Sequence, residues 1–526
     1  MKLRLSGHDY KYAVEQIMLA LFPQERPEYD SVNSGAVNAG DGSLNSGSSA
    51  LRFTTVNQQN KRDSPVEPDP AIMTASSHLS VGSFYAQALT VIQRGDDVSR
   101  GVSRVKRDRL SDKLTTDRLL QRIVKHSFFK AAMHFIESPP VWGSLTGIRP
   151  AQIAAKALLS GKSEDSSVKL LIREYYVSPK RAVLCVNAAR SAVRLRQSLE
   201  PLDIALYIGI PFCPSRCAYC SFVSNSVEKS FGLVEPFAKA LLREIREISG
   251  LVASLGLRII TVYIGGGTPT ALPEEDFSEV MRAIRDSFDM AHVREYTVEA
   301  GRPDTINGRI PEIIRRFGAR RVCINPQSMS GEVLAAIGRK HTPEDVADAV
   351  RLVRQSGLSL NMDIIAGLPG DTTVGFRNTL DAVLAFEPEN ITIHTLSLKK
   401  GSRIMLEGTA KPDGADVAAM LDHASRRLME TGYSPYYLYR QKFTSGGFEN
   451  TGWCLPGHEG IYNICMMEEL CTVLALGGGA VTKLVSPDGR IERIFNAKYP
   501  REYILQSDKI NNKIDKIRRF YSVTRR

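Results

Sequence analysis

The chain lacks several features that would settle its class at once. No stretch of its 526 residues approaches the roughly 20 consecutive apolar residues needed to span a bilayer. The opening, MKLRLSGHDYKYAVEQIMLALF, places His8, Asp9 and Glu15 where an export signal needs an apolar run, so a cytoplasmic protein is the expectation. Eight cysteines are too few for a disulfide scaffold of this length. The basic stretch between Arg94 and Arg109 has no interleaved aromatics, so it reads as a solvated face and nucleic-acid binding is not expected. What is present fits a globular protein of several domains: 43% hydrophobic and 24% charged residues, with a net charge of +11 that favours anionic partners without naming one.

The texture changes along the chain. Residues 1–24 read as a small folded element, a strand at LRLSG followed by a helix. Residues 25–75, rich in Gly, Ser, Asn and Pro, read as a disordered insertion, because they cannot bury enough apolar surface to offset chain entropy. Residues 76–199 read as a mostly helical domain, with helical periodicity over 79–138 and further helices over 164–199. Then β-branched runs at Ile204–Ile210, Ile259–Ile264, Tyr296–Val298, Val322–Ile324, Leu358–Ile365 and Ile391–Leu396 alternate with amphipathic helical patterns. Six such units imply an α/β fold with a parallel sheet and right-handed crossovers, a partial (β/α)6 barrel over 200–402 whose chemistry sits at the C-terminal strand ends. Residues 403–526 read as an α+β appendage ending in a basic helix with Ile510, Ile514, Ile517 and Tyr521 on one face.

The sharpest motif is IPFCPSRCAYCSF, with Cys213, Cys217 and Cys220 directly after the first barrel strand. Thiolates at this spacing are soft ligands for an iron–sulfur cluster or zinc. Three cysteines can hold three irons of a cubane and leave the fourth open; a structural zinc would need a distant fourth ligand. Cys185 and the later cysteines read as ordinary buried thiols. VYIGGGTPT, at the end of the second strand, lets backbone approach a ligand closely but lacks the lysine of a P-loop.

Taken together, the cysteine loop, GGGTPT and the repeated βα units resemble the radical S-adenosylmethionine (SAM) superfamily. From Ala205 to about Lys400 the chain is similar to the oxygen-independent coproporphyrinogen III oxidases and their relatives, through YIGIPFCPSRCAYC, YIGGGTPT, TVEAGRPD, INPQSM with IGRKHT, and NMDIIAGLPG in order. LTGIRP, YYLYRQK, YNICMMEE and LGGGAVTK look most like the HemZ-type oxidase-like branch. This resemblance implies a [4Fe–4S] cluster on Cys213, Cys217 and Cys220, and SAM chelating the open iron. It implies SAM contacts at Tyr207, Tyr219, Gly266, Gly267, Thr268, Glu299, Gln327, Arg339 and Asp363. It implies oxidative decarboxylation of two propionates on an anionic tetrapyrrole, an external electron donor for the cluster, and cationic partners for carboxylates such as Arg302, Lys399, Lys400, Arg403 and Arg440. The related haem chaperones imply a non-catalytic alternative. Two positions depart from the oxidase pattern: Phe222 stands where those enzymes carry a fourth cysteine, and Gly209 where they carry a histidine. The chaperones' His-Asn…Tyr-Trp motif is replaced by Tyr462-Asn463-Ile464-Cys465-Met466-Met467.

Overall fold

The computed structural model describes residues 1–29, 72–147, 149–220, 225–397, 402–407, 413–441 and 445–524. They divide into two compact units, Met1–Thr146 and Gly147–Arg526. In the first unit, strands β1 (Lys2–Ser6), β2 (Glu28–Tyr29), β3 (Met73–Val81), β4 (Tyr85–Arg94) and β5 (Asp97–Lys106) form one sheet in the order β2-β1-β3-β4-β5. Helix α1 (Lys11–Leu21) follows the first strand as its spacing predicts, and α2 (Lys113–Ala132) is capped by Asp112, whose carboxylate accepts from the amides of Leu114 and Thr115.

The helical reading of 79–106 is overturned. Residues 73–81 alternate buried and accessible positions with period two, and β4 does the same. The two-residue turn Gly95-Asp96, with Gly95 at φ 58°, joins β4 to β5 as a hairpin. Here strand alternation between serines and apolar residues prevailed over the helical propensity of Ala and Leu. Most of the expected insertion, residues 30–71, lies outside the described residues, but its edges are ordered: Glu28–Tyr29 and Met73–Ala75 are strand.

In the second unit, helices α3 (Ala151–Leu159), α4 (Glu164–Tyr175) and α5 (Pro179–Gln197) precede β6 (Asp203–Ile210). A short pair of strands, β7 (Phe212–Cys213) and β8 (Asn225–Ser226), is followed by α6 (Val227–Ser230) and the long α7 (Val234–Ser254). Strand and helix then alternate as the sequence predicts: β9 (Arg258–Gly266), α8 (Glu274–Ser287), β10 (Glu295–Glu299), α9 (Arg309–Arg316), β11 (Arg321–Gln327), α10 (Gly331–Ala336), α11 (Pro343–Gln355), β12 (Ser359–Ala366), α12 (Thr373–Leu384) and β13 (Asn390–Thr395). The six strands β6, β9, β10, β11, β12 and β13 lie side by side in parallel. Their centres are fully buried Ile, Val and Leu, packed on the helices that cross between them.

Residues beyond Ser402 make no separate sheet. After α13 (Arg403–Glu407) and α14 (Gly414–Glu430), β14 (Ser434–Arg440) and β15 (Glu449–Cys454) add antiparallel strands beyond β13. After α15 (Ile461–Glu468), β16 (Thr472–Gly477) joins the opposite edge in parallel with β6, followed by β17 (Val481–Val485) and β18 (Ile491–Phe495). The result is one open sheet of eleven strands. Helices α16 (Pro500–Ile504) and α17 (Ser507–Thr524) close the chain.

The segment between β15 and α15 covers the N-terminal strand ends. Arg321 and Asn390, at the starts of β11 and β13, donate to the carbonyl of His458, and the amide of Tyr462 donates to Glu295 at the start of β10. The C-terminal ends of the six strands carry the predicted motifs.

Candidate functional site: the cysteine loop and the strand-end ring

The first strand delivers the cysteines. β6 runs into β7, so Cys213 lies in a strand register opposite Ser226 of β8. Cys217 is buried and Cys213 and Cys220 are half-buried. The loop is fixed from behind. Ala218 donates its amide to Ile337 O at 2.9 Å and accepts from Ile404 at 3.3 Å, and its methyl joins Leu334, Ile337, Ile365 and Leu396 in an apolar cluster. Two guanidiniums face the thiols. Arg302 reaches Cys217 Sγ at 3.8 Å while it donates to Ser215 Oγ and pairs with Asp304 at 3.1 Å. Arg339 donates to the carbonyls of Gly301 and Asn325 and to the Tyr219 hydroxyl at 3.1 Å. Both guanidiniums place positive charge beside the thiol-bearing loop.

The second strand delivers the glycines, and they cross directly over the cysteine loop. Gly267 and Thr268 donate backbone amides to Ile210 and Phe212. A β-carbon on Gly267 would lie 2.3 Å from Phe212 O and 3.0 Å from Cys213 Sγ. Gly266 has φ 111°, and a β-carbon there would meet Ile210 N at 2.9 Å. Only glycine allows this approach. Thr268 Oγ1 donates to Cys213 Sγ at 3.6 Å.

The remaining strands deliver a polar ring. Tyr207, Tyr263, Glu299, Asp363 and His394 are partly accessible while the residues on either side of them along their strands are mostly buried, so they line an interior space open at the strand ends. Tyr263 donates to Glu299 Oε1, and Asn325 donates to Glu299 Oε2 at 3.1 Å. Asn361 donates to Asp363 Oδ1 at 2.9 Å, and His394 Nε2 lies 3.3 Å from Asp363 Oδ2. Burial, then the charge of Asp363, pushes the Glu299 carboxyl up to about 7. Burial also works against the Asp363 carboxylate, but hydrogen bonds from His394, Asn361 and Thr392 outweigh it and hold its pKa below the usual range. Below the ring, Tyr462 stacks on Tyr263 at 4.4 Å and on Tyr207 at 5.8 Å, which makes an aromatic floor.

Gln327 completes the set. It sits at a bulge in the β11–β12 pairing, adopts φ 68°, and its buried Oε1 has no partner. Asn325 Oδ1 and Asn361 Oδ1 are buried without partners as well. A non-glycine residue in the left-handed region beside unsatisfied buried acceptors marks a place built for a ligand. Among the described residues, no three His, Cys, Asp or Glu side chains converge on one metal ion; a cubane instead places each thiolate on its own iron.

The Radical SAM superfamily pattern matches residues 207–383. The chain is 39% identical over 370 residues to the oxygen-independent coproporphyrinogen-III oxidase-like protein HemZ of Bacillus subtilis, covering 69% of this chain and 74% of that one. It belongs to the radical SAM superfamily. Within it the chain stands with the coproporphyrinogen-III oxidase-like proteins. The haem chaperone HemW of Escherichia coli is 26% identical over 307 residues, 58% of this chain and 76% of that protein. A solved structure, the coproporphyrinogen III oxidase HemN of Escherichia coli, aligns at 21% identity and a TM-score of 0.49, covering 61% of this chain and 72% of that one.

A radical SAM protein takes a [4Fe–4S] cluster and SAM, and the residues present fit both. Three thiols sit on one fixed loop under two guanidiniums, with a glycine cradle against the first thiol and unsatisfied amide oxygens beyond it. The twelve residues that the sequence singles out lie on the cysteine loop, on the strands β6, β9, β10, β11 and β12 or just beyond their C-terminal ends, and, for Arg339, just after α10. Phe222, Lys399 and Lys400 lie outside the described residues. Arg302 is buried against the cysteine loop, and Arg440 donates to Gly447 O, with burial holding its guanidinium down to about 10. Sequence reading missed Tyr263, Asn325, Asn361, His394 and Tyr462. Three of these were within reach: Asn325 and Asn361 lie two residues before Gln327 and Asp363 on their own strands, and Tyr263 is level with Tyr207 on the next; His394 is level with Ile365 and had no such marker. Tyr462 comes from a distant helix, and no local pattern announces it.

Proposed function

We propose that the chain carries out oxygen-independent oxidative decarboxylation of coproporphyrinogen III to protoporphyrinogen IX in the cytoplasm. The observation that carries this reading is the 39% identity to the HemZ oxidase-like protein over 370 residues, 69% of this chain. In this reading Cys213, Cys217 and Cys220 would hold the [4Fe–4S] cluster, and SAM would bind beside it. When bound, the cluster and SAM together supply the hydrogen-abstracting radical. Each reacting propionate then loses one hydrogen atom and carbon dioxide, and one electron passes to an external acceptor, leaving a vinyl group.

The chain's own residues orient and enclose. Gly266, Gly267 and Thr268 let backbone close on the ligand beside Cys213. Gln327 Oε1, Asp363 and Glu299 offer acceptors to hydroxyls or an amine, and Tyr207 and Tyr219 pack against it. Arg339 ties Tyr219 to the ends of β10 and β11, which fixes the two walls of the site relative to each other. The tyrosine floor keeps water from below. Arg403, on α13, whose neighbour Ile404 donates to Ala218 O of the cysteine loop, is a candidate carboxylate anchor.

The haem-carrier alternative draws on the HemW match. Where the chaperones carry their haem motif, this chain has α15, and Tyr462 and Cys465 there are buried in the core, which favours the enzyme. The test is an anaerobic assay of the reconstituted, dithionite-reduced protein with SAM and coproporphyrinogen III. Two molecules of carbon dioxide per protoporphyrinogen IX, with activity lost in Cys217→Ala, are expected. SAM cleavage with the porphyrinogen untouched rejects the substrate, and stoichiometric haem binding without turnover supports the carrier.

A further inference from the structure

The cluster must receive its electron from outside, and one face of the molecule is built differently from the rest beside it. β8, the strand hydrogen-bonded to the cysteine-bearing β7, is the wall of a surface groove. Asn225 lines it together with Ser230, Gly232, Leu233 and the segment Tyr499–Glu502. Cys213 therefore lies about one strand spacing, roughly 5 Å, behind that wall. A second groove adjoins through α16 and is lined by Phe495, Tyr503, Lys509, Lys513 and Lys516 against Arg243 of α7. An aromatic chain links it to the same loop: Phe212 meets Phe237 at 5.3 Å, and Phe237 meets Tyr503 at 5.0 Å.

This face carries large apolar side chains in solvent. Phe231 is 68% exposed, Phe495 69%, Tyr499 50% and Leu505 82%. Phe231 lies between the groove residues Ser230 and Gly232, and Leu505 between Ile504 and Gln506; large exposed apolar side chains beside grooves are typical of surfaces that a partner covers. The charges around them have one predominant sign. Of the residues that line the two grooves, Arg243, Arg501, Lys509 and Lys516 are exposed cations and Glu502 is the exposed acid. The other acid, Glu244, is buried and consumed by Lys513 at 2.8 Å. A basic rim around an apolar centre steers and holds an acidic partner.

We propose that this face, centred on Phe231, Tyr499 and Leu505 and rimmed by Arg501, Lys509 and Lys516, is the docking site of a small acidic one-electron carrier protein that reduces the cluster. The step transfers one electron: the carrier is oxidised by one electron, the cluster is reduced by one, and no bond is made or broken. The proposal rests on the radical SAM reading and not on the identity of the substrate.

The test follows the visible absorbance of the cluster in the anaerobically reconstituted full chain after stopped-flow mixing with a fully reduced bacterial flavodoxin, and separately with dithionite. In the wild-type chain, flavodoxin reduces the cluster at a rate that falls steeply with added salt. Arg501→Glu with Lys509→Glu lowers the flavodoxin rate at least tenfold, as does Phe231→Ala with Leu505→Ala. The charge-matched control Arg282→Glu with Arg316→Glu, on α8 and α9, leaves it within twofold. All variants keep wild-type iron content and wild-type reduction by dithionite. Three outcomes overturn the proposal: equal loss in the control pair, loss with dithionite as well, or no reduction of the wild-type cluster by flavodoxin while dithionite succeeds. Porphyrin formation under dithionite tests the substrate separately, so failure there leaves the docking result standing.

Discussion

Glu299 and Asp363 are both carboxyls facing one interior space, yet their surroundings push them in opposite directions. Glu299 has neutral donors, Tyr263 and Asn325, and the charge of Asp363 close by; Asp363 has the imidazole of His394. With its pKa raised from 4.5 to about 7, Glu299 keeps a proton in the folded cofactor-free chain over a window where the unfolded chain has lost it. Stability therefore falls as pH rises through that window. Glu299→Gln, which keeps the shape without the charge, is expected to be more stable than wild type in urea unfolding at pH 8 and no better at pH 4. An equal effect at both values would show that the carboxyl does not titrate this way. His394 shifts stability in the same direction for a different reason. Burial lowers its pKa, but the hydrogen bond and charge of Asp363 raise it further, to a net value above the ordinary 6.5. The pair then contributes fully below pH 6.5, provided Asp363 stays ionised, and is lost as pH rises through the raised value. His394→Asn should cost on the order of 2 kcal/mol at pH 6 and progressively less towards pH 9, read from unfolding midpoints. This chemistry was half legible. TVEA and NMDII announced the carboxylates, while TIHT carried no signal of its own until the sheet placed it beside Asp363.

At the scale of elements, the parallel strands were readable because each is a short run of β-branched residues followed by an amphipathic helix, a pattern set by nearby residues alone. The hairpin β4–β5 was not, since its alternation of Ser, Ala and Gln with apolar residues matches two periods at once. The departure at Gly209 also acquires a reason. A β-carbon there would lie 3.1 Å from Gly478 O, and one on Gly477, at φ 93°, would lie 2.1 Å from Gly209 O. Strand β16 fills the space beside the first strand's end, and GGG at 477–479 and Gly209 are matched surfaces of one contact. The glycine loop over the cysteines is the same kind of contact. Gly267→Ala must move Phe212 O and the thiol of Cys213 apart, so iron content after reconstitution should drop by more than half. Far-ultraviolet circular dichroism should stay unchanged, because the strands themselves lose no hydrogen bond. Full iron loading in that variant would mean the two loops are not held as described.

At the scale of the whole molecule, β16 completes the sheet beside β6 from more than two hundred residues away in sequence, which no local pattern can reveal. What holds the β16 edge is a buried polar knot. Glu244 of α7 accepts from Lys513 Nζ at 2.8 Å, from the Tyr503 hydroxyl at 2.7 Å, from Asn496 Nδ2 at 2.9 Å and from the amide of Gly477 at 2.8 Å. Burial disfavours its charge, yet these donors outweigh it and keep the carboxylate ionised. The last helix was legible as a docked amphipath through Ile517 and Tyr521, but Lys513 reads in sequence as one more surface cation, and it is 4% exposed. Removing it leaves a buried carboxylate without its counter-charge, which typically costs about 3 to 5 kcal/mol. Lys513→Ala is therefore expected to lose stability of that order in urea unfolding, and Lys513→Ala combined with Glu244→Gln to recover part of it, since the amide needs no counter-ion. If the single variant unfolds like wild type, α17 is not fastened by this pair. If the double variant recovers nothing, the loss belongs to packing by the lysine stem and not to the charge it brings.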